Sequence, residues 1–290
     1  MKKIKYATSD YSPSFLPQNR KEVLKDVYHV RFSLILKCGL IILLFAIPLI
    51  ALLIVMDVWK FGTNGLNENQ LTAFYFYWNI IIRVSIIPCL FILLIGISGI
   101  LRIIKLLVWQ EGIDFWYDFK YGVKTNYKAM AIPSLFLMLI YLIYFGIFYI
   151  AINSLFMFVA IAFICFFFVT AYLWYIYLSN VYSSGIKNLL TNSMFFLIKT
   201  FGWSVLFMTL IVFPFFYDFF QIPFTVLTFI LKPLILMAML VFYYPFMIIV
   251  GSLYSNNQFD KWINKENYPD LYRKGLFNAE SFIDEEEDLY

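Results

Sequence analysis

The sequence has few of the residue types from which soluble enzymes build their active sites. Only 14% of the residues are charged, whereas about a quarter are charged in a typical soluble domain. Cys38, Cys89 and Cys165 lie far apart in apolar runs and therefore predict neither a disulfide framework nor a zinc site. His29 is the one histidine, and without a second ligand nearby we interpret it as a surface residue.

The chain also lacks the short motifs of known catalytic and cofactor sites. HExxH, GxSxG, GxGxxG and the P-loop pattern are all missing. Outside the acidic tail, carboxylates four residues apart occur as Glu22/Asp26 and Asp114/Asp118. Either pair could hold a cation, but solvation of a helix face is the simpler interpretation. Since these templates are missing, we expect no enzyme, cofactor or metal. Because the basic residues flank apolar runs, as membrane topology demands, we also expect no nucleic-acid partner.

Apolar residues are abundant instead, and they are arranged in blocks. They make up 62% of the 290 residues, and the mean hydropathy is +0.79. A helix needs about 20 apolar residues to cross a bilayer. The sequence therefore predicts six spans, at residues 32–56, 74–101, 130–152, 155–177, 203–217 and 226–250. The fifth run is short, and the proline and polar residues after it predict a broken or partly re-entrant turn.

Lysine and arginine are distributed very unevenly between the two sides of the predicted bundle. The opposing loops hold only Lys60, whereas 18 of these residues fall on one side, in segments 1–32, 102–129, 180–202 and 251–290. Positively charged loops remain in the cytoplasm, so both termini are expected there.

The predicted architecture is thus an all-α, polytopic membrane protein whose direct partner is the lipid bilayer. A basic cytoplasmic segment (1–31) precedes a six-helix transmembrane domain (32–250), and a cytoplasmic tail with an acidic end (251–290) follows. Valines within residues 23–30 predict a short amphipathic helix before the first span.

Residues 109–128, with the sequence WQEGIDFWYDFKYGVKTNYK, form the longest charged segment between two apolar runs. At 100° per residue its aromatic and apolar side chains share one face, and Glu111, Asp114 and Asp118 lie opposite. The acids precede the lysines, an order that suits the helix dipole. We interpret the segment as an amphipathic helix in the membrane interface, which connects the two halves of the protein.

Two stretches carry a likeness to a known family. The first contains Gly99, Arg102, Glu111-Gly112, Phe115-Trp116, Phe119-Lys120 and Lys124-x-Asn126-x-Lys128. The second reads FDKWINK from Phe259, followed by Tyr268-Pro269 and by YRKGL from Tyr272. Together they resemble the YesL-like family, which comprises bacterial multipass membrane proteins of unknown molecular function. The loop at 59–72 is longer than in that family, and its N-terminal NPxF pattern is present only weakly, as Ser12-Pro13-x-Phe15.

The resemblance implies a location in the bacterial cytoplasmic membrane and an accessory or regulatory role in carbohydrate uptake. Such proteins are often encoded near ABC-type sugar importers, so the implied partners are importer permease subunits. The family has no assigned catalytic residues to transfer. Within and beside the matching stretches we expect a partner-docking surface of polar side chains. Those of the first stretch are expected to be exposed or at the rim: Asp114, Asp118, Lys120, Lys124 and Asn126. The second stretch contributes Asp260 and Lys261.

A transporter is the alternative interpretation. Arg83 lies inside the second predicted span, where a charge is costly and therefore often functional. Arg83 either faces a polar cavity with Asp218 and contacts an anionic substrate, or it snorkels to the outer interface beside the aromatic residues 74–78. A weak internal similarity between the linkers that contain Thr125-Asn126 and Thr191-Asn192 also favours a transporter.

Overall fold

The computed structural model describes residues 16–61, 67–150, 155–212 and 226–277, which form helices joined by short turns. The helices that begin before residue 213 are α1 (Arg20–Val30), α2 (Phe32–Phe61), α3 (Glu68–Val108), α4 (Phe115–Ile150), α5 (Leu155–Val181), α6 (Ile186–Lys199) and α7 (Phe201–Val212). A helical rod follows, made of α8 (Val226–Ala238), α9 (Tyr244–Phe259) and α10 (Lys265–Asn267), with π-helical turns at Met239–Tyr243 and Asp260–Asn264. No β-strand occurs in these described ranges, which confirms the predicted all-α class.

Three helical stretches among the described residues are long and apolar enough to cross a membrane: Phe32–Val55, Ile80–Val108 and Leu231–Asn267. A fourth results if α6 and α7, which meet at 100°, count as one broken span. By length and composition these helices are compatible with a multipass membrane protein that has three or four candidate spans. Six spans stay a prediction, because parts of the third and fifth predicted spans and the connections that follow them, residues 151–154 and 213–225, lie outside the described residues.

Helix α1 forms because the sequence supplies both a cap and an apolar stripe. The Asn19 side chain accepts hydrogen bonds from the backbone N–H groups of Lys21 and Glu22, which satisfies two of the free donors at the helix start. Val23 and Val27, one turn apart, are fully buried in a cluster with side chains of α2, α3 and α9. The short helix predicted from these valines is confirmed.

Helices α3 and α4 form the most extensive helix pairing in the described structure, and two glycines bring their backbones together. A Cβ on Gly122 would lie 2.6 Å from Arg102 Cβ and 3.0 Å from the carbonyl oxygen of Gly99. A Cβ on Gly99 would collide with the ring of Phe119. Because helices in membranes associate through close packing of small residues, this glycine contact determines where α3 and α4 cross.

The prediction of a separate interfacial helix at residues 109–128 is wrong. Trp109 and Gln110 form a turn, residues 111–114 are not helical, and α4 then runs from Phe115 to Ile150 without a break. At 1.5 Å per residue α4 is about 54 Å long, well beyond the ~30 Å hydrocarbon core of a bilayer. The first turns of α4 therefore continue the helix that enters the third predicted span. Its aromatic face is partly covered by α3, since Phe119 is buried.

Helix α6 has the character that the sequence predicts for 109–128. It is amphipathic, with Leu189, Phe196 and Leu197 buried against α5 and the end of α9. Leu190 and Ile198 are exposed on another face. The helix turns 100° at Thr200 into α7. Such a helix, apolar on an uncovered face and bent away from the next span, suits the boundary between lipid and water.

The rod crosses the predicted domain boundary between residues 250 and 251 without interruption. Gly251, Ser252 and Leu253 are buried, so this part of the predicted tail belongs to the helical bundle. After Asn267 a 3₁₀ turn at Pro269–Leu271 leads the chain back to α1, where the Phe277 N–H donates to the Pro17 carbonyl oxygen at 2.9 Å. The first and last described residues therefore lie at the same end of the bundle.

Candidate docking face

The helix ends that carry most of the described charged residues lie together at one end of the bundle. Side chains of α1, the end of α3, the start of α4 and α9 share one buried cluster there. The end of α5 joins them through polar contacts described below. We call this end the terminal face and define it as residues 16–31, 102–128, 180–187 and 257–277.

Trp109 is the point at which the α3–α4 turn meets the C-terminal segment. Lys105 Nζ lies 4.4 Å and Lys274 Nζ 4.3 Å from the centre of the indole ring, so cation–π attraction stabilises both contacts. Lys274 also forms an ion pair of 2.8 Å with Glu111. Gly275 has φ +79°, and a Cβ there would lie 2.6 Å from Trp109 Cα, so only glycine fits. The two stretches with the family likeness are thus in direct contact.

Two aspartates cap the start of α4. Asp114 Oδ1 accepts a hydrogen bond from the Tyr117 N–H at 3.3 Å, and Asp118 Oδ2 accepts one from the Asp114 N–H at 2.9 Å. Asp118 is only 3% exposed, and its Oδ1 lies 3.9 Å from Arg102 Nε. Burial raises the pKa of Asp118 above its ordinary value, although the hydrogen bond from Asp114 and the charge of Arg102 oppose this shift.

Asn126 belongs to a buried amide pair that joins three helices. Its Nδ2 donates to Asn180 Oδ1 at 3.0 Å and to the Ser98 carbonyl oxygen at 3.3 Å. Asn180 Nδ2 donates to the Leu101 carbonyl oxygen at 2.9 Å, and Lys105 Nζ donates to the Asn180 carbonyl oxygen at 2.7 Å. Because buried polar groups are costly unless they are hydrogen-bonded, these contacts hold α3, α4 and α5 in one arrangement.

Asp260 lies at a second buried junction, between α1, the rod and the C-terminal segment. Its Oδ2 accepts from Arg20 Nη2 at 2.9 Å, and its Oδ1 accepts from Asn264 Nδ2 at 2.8 Å. Arg20 Nη1 also donates to the Lys274 carbonyl oxygen at 2.9 Å, and Tyr182 OH donates to Asn264 Oδ1 at 2.5 Å. Burial lowers the pKa of Arg20 and raises that of Tyr182. This junction connects the two ends of the described chain.

The predicted docking residues divide into an exposed and a buried group. The exposed residues are Asp114, Lys120, Lys124 and Lys261. The buried residues, at 3%, 7% and 7% exposure, are Asp118, Asn126 and Asp260. The prediction that Asp118 and Asn126 are exposed or at the rim is wrong, and Asp260 is also buried. Asn126 and Asp260 have hydrogen-bond partners on other helices, and Asp118 folds back onto the turn before its own helix, contacts that a projection of one helix omits.

Sequence reasoning missed three residues that organise this face: Arg20, Asn180 and Tyr182. Their partners Asp260, Asn126 and Asn264 lie 240, 54 and 82 residues away along the chain. No local pattern signals contacts at such separations. One signal was available, because Asn180 closes an apolar run, where an amide without a partner is costly.

The two residues of the transporter interpretation lie beyond what the structure describes. The backbone of Arg83 is part of α3, but its side chain is outside the described residues, and Asp218 falls within the segment 213–225. In the part of the chain that is described, no group of three or more His, Cys, Asp or Glu side chains is placed to hold a metal ion.

Comparisons of the chain with protein-family models, with curated proteins and with solved structures find no match. The likeness to the YesL-like family therefore has no support beyond the residues that carry it.

Proposed function

We propose that this chain is a non-catalytic binding protein of the bacterial cytoplasmic membrane, an accessory or regulatory component of carbohydrate uptake. Three candidate spans among the described residues support multipass insertion. Helices α4 and α5, with 36 and 27 residues, are each long enough to add one crossing. With the predicted fifth span, which begins in α7, as another, the chain crosses six times and the terminal face is cytoplasmic, in agreement with the distribution of lysine and arginine.

The observation that carries the docking proposal is a row of lysines on the first part of α4. Lys120, Lys124 and Lys128 are spaced by four residues and are all exposed, and side chains at this spacing share one helix face. None of them forms an ion pair with another described residue. We call these three residues the lysine row. An uncompensated row of this kind is complementary to an acidic surface on a partner protein.

The buried contacts of the terminal face hold the backbone of α4 in place beneath the lysine row. Asp118 caps the start of α4 and Asn126 connects its middle to α5, so the lysines between and beside them project from a fixed backbone. A surface that is already ordered before binding loses less conformational entropy when it binds. Because Asp118 and Asn126 are buried, we propose that they position the docking face and do not contact the partner themselves.

The proposed partner is a permease subunit of an ABC-type carbohydrate importer. The likeness of residues 99–128 and 259–276 to the YesL-like family supports this partner. The contact of these two stretches at Trp109 and Lys274 is consistent with a single docking face.

Charge reversal tests the role of the lysine row. The double variant Lys120→Glu/Lys124→Glu should reduce the amount of permease that co-purifies with the tagged chain in detergent by about tenfold, because rim charges steer and orient association. The matched control is Lys25→Glu/Lys187→Glu, which reverses two other exposed lysines at the same end of the bundle. Membrane insertion and yield should be unchanged in both.

Two outcomes would contradict the proposal. The first is that the Lys120/Lys124 variant retains as much permease as the unmodified chain. The second is that both double variants lose the permease equally, because the effect would then come from net charge and not from the lysine row.

A further inference from the structure

A cleft of about 1050 Å³ opens on the terminal face between α1, the end of the rod and the C-terminal segment. Ligand pockets commonly measure ~300–1000 Å³, so this cleft has room for a polar headgroup and part of an attached chain. Its lining comes from residues 18–24, 250–265 and 272–276, and therefore not from the lysine row on α4. Binding here is a separate claim from docking of a permease.

One end of the cleft is strongly basic. Its cationic side chains are Arg20, Lys21, Lys261, Lys265 and Arg273. Asp260 is the carboxylate among the lining residues, and it is already paired with Arg20 at 2.9 Å. Burial lowers the pKa of Arg20 and the nearby charge of Arg273 lowers it further, although Asp260 opposes both effects. The described fold therefore leaves an excess of positive charge in this cleft.

The other end of the cleft is apolar. Val250, Leu253 and Tyr254 line it and belong to a helix that is long and apolar enough to span a membrane. Farther along the same helix the lining changes to Asn257 and then to Lys261. Val250 and Lys261 are about 16 Å apart along the helix axis, whereas the headgroup layer on one side of a bilayer is only about 5–8 Å thick. The cleft is thus longer than the headgroup layer is thick, and its apolar end meets the end of the sixth predicted span at Val250.

From this arrangement we infer that the cleft binds an anionic phospholipid. The phosphate contacts the lysine and arginine side chains, and one acyl chain lies along Val250, Leu253 and Tyr254. Basic pockets on the cytoplasmic side of membrane proteins recognise acidic headgroups in this way. An acidic peptide fits less well, because its backbone would have no hydrogen-bond partners at the apolar end. A free anion would leave that end empty.

Lipid binding to the purified full chain in a neutral detergent tests this inference. Native mass spectrometry with added phosphatidylglycerol or phosphatidylcholine reports how much of each lipid the protein retains. The unmodified chain should retain phosphatidylglycerol in preference to phosphatidylcholine. The double variant Lys261→Gln/Lys265→Gln should bind phosphatidylglycerol about 30-fold more weakly, since each basic side chain near an anionic headgroup contributes to the attraction.

Two further variants separate the cleft from general effects. Lys120→Gln/Lys124→Gln removes two exposed lysines of the lysine row and should leave phosphatidylglycerol binding unchanged. Lys261→Arg/Lys265→Arg keeps the charge and should also retain it. If the Lys261/Lys265 glutamine variant aggregates, Lys21→Gln on α1 replaces it, because Lys21 is exposed and lines the same cleft.

Several results would overturn the inference. Equal binding of the two lipids would show that charge is not recognised, and equal phosphatidylglycerol binding by the unmodified chain and the cleft variant would place the lipid elsewhere. Displacement of phosphatidylglycerol by inorganic phosphate or by a poly-glutamate peptide at comparable concentration would identify a free anion or an acidic protein as the occupant. Because permease docking is tested with Lys120 and Lys124, either proposal can fail without the other.

Discussion

Asp118 combines two opposing contributions at the start of α4. As a hydrogen-bond acceptor for the Asp114 N–H it stabilises the first turn of the helix. As a buried charge it is disfavoured, and burial accordingly raises its pKa in spite of Arg102. The acceptor is therefore useful to the fold, whereas the negative charge is not.

Substitution of Asp118 separates the two contributions. Asp118→Ala removes the acceptor and should lower the free energy of unfolding by about 1 kcal/mol. Asp118→Asn keeps an acceptor oxygen without the charge and should be at least as stable as the unmodified chain at pH 7. Thermal unfolding in detergent measures both. If Asp118→Ala and Asp118→Asn lose stability equally, the hydrogen bond from the Asp114 N–H does not stabilise the start of α4.

The raised pKa of Asp118 also predicts how the stability of the chain changes with pH. The pKa of Asp118 is higher in the folded chain than the ordinary value of about 3.9 in the unfolded chain. The stabilising effect of the proton is therefore present at low pH and is lost as the pH rises through the folded pKa. Between pH 4 and pH 7 the melting temperature of Asp118→Asn should rise relative to that of the unmodified chain. A constant difference over this range would contradict the effect of burial.

Arg20 and Asp260 show what the sequence could not reveal about individual side chains. Both were visible as charged residues, but their ion pair joins positions 240 apart in the chain. A partly buried ion pair is a weak source of stability, because desolvation offsets the attraction. Its more specific effect is positional, since it connects α1 to the end of the rod. Such pairing depends on tertiary packing, which no local pattern encodes.

The crossing of α3 and α4 depends on the two glycines between them. The backbone of Gly122 lies against Arg102 Cβ and the carbonyl oxygen of Gly99, and neither neighbour is the flexible end of a side chain. An added methyl group therefore has to push the helices apart. The turn at Trp109 lies at the end of this hairpin, so the crossing also affects the terminal face.

Gly122→Ala tests this crossing. The variant should lower the free energy of unfolding by about 1–3 kcal/mol, the usual cost of overpacking. The matched control is Gly202→Ala, because a Cβ at Gly202 meets nothing within 4 Å and alanine favours a helix by up to about 1 kcal/mol over glycine. Thermal unfolding and yield in detergent report the outcome. A Gly122→Ala chain as stable as the Gly202→Ala control would show that the helices are not packed through this contact.

Hydrophobic periodicity predicted the helices correctly, but it did not predict what covers their apolar faces. Apolar runs predicted helices correctly at α2, α3, α5 and the rod, because burial of backbone polar groups in an apolar run requires helical hydrogen bonds. The amphipathic pattern of 115–128 was also real, but its apolar face packs on α3. Amphipathic periodicity indicates that one face of a helix is covered, and it does not distinguish a neighbouring helix from lipid.

At the level of the complete fold, the sequence predicted the helical class and the gathering of charged helix ends on one side. Both follow from strong, additive patterns of apolar and basic residues. The sequence did not predict that residues 259–277 return to α1 and to the turn at Trp109, because glycine and aromatic contacts between distant segments produce that arrangement. As a result, only four of the seven residues predicted for docking are exposed, although all seven lie on the terminal face.

Permease docking and lipid binding both require the terminal face to be on the cytoplasmic side of the membrane. Both proposals therefore depend on this orientation. The orientation is predicted from the uneven distribution of lysine and arginine, which also assigns the segment 57–73 to the outside.

Cysteine labelling measures the orientation directly. With Cys38, Cys89 and Cys165 replaced by alanine, single cysteines are introduced as Lys124→Cys on the terminal face and Asn64→Cys in the opposing loop. A membrane-impermeant maleimide should label position 64 in intact cells, and it should label position 124 only after the membrane is opened. Labelling of position 124 in intact cells, with position 64 protected, would place the terminal face outside the cell and exclude both proposals.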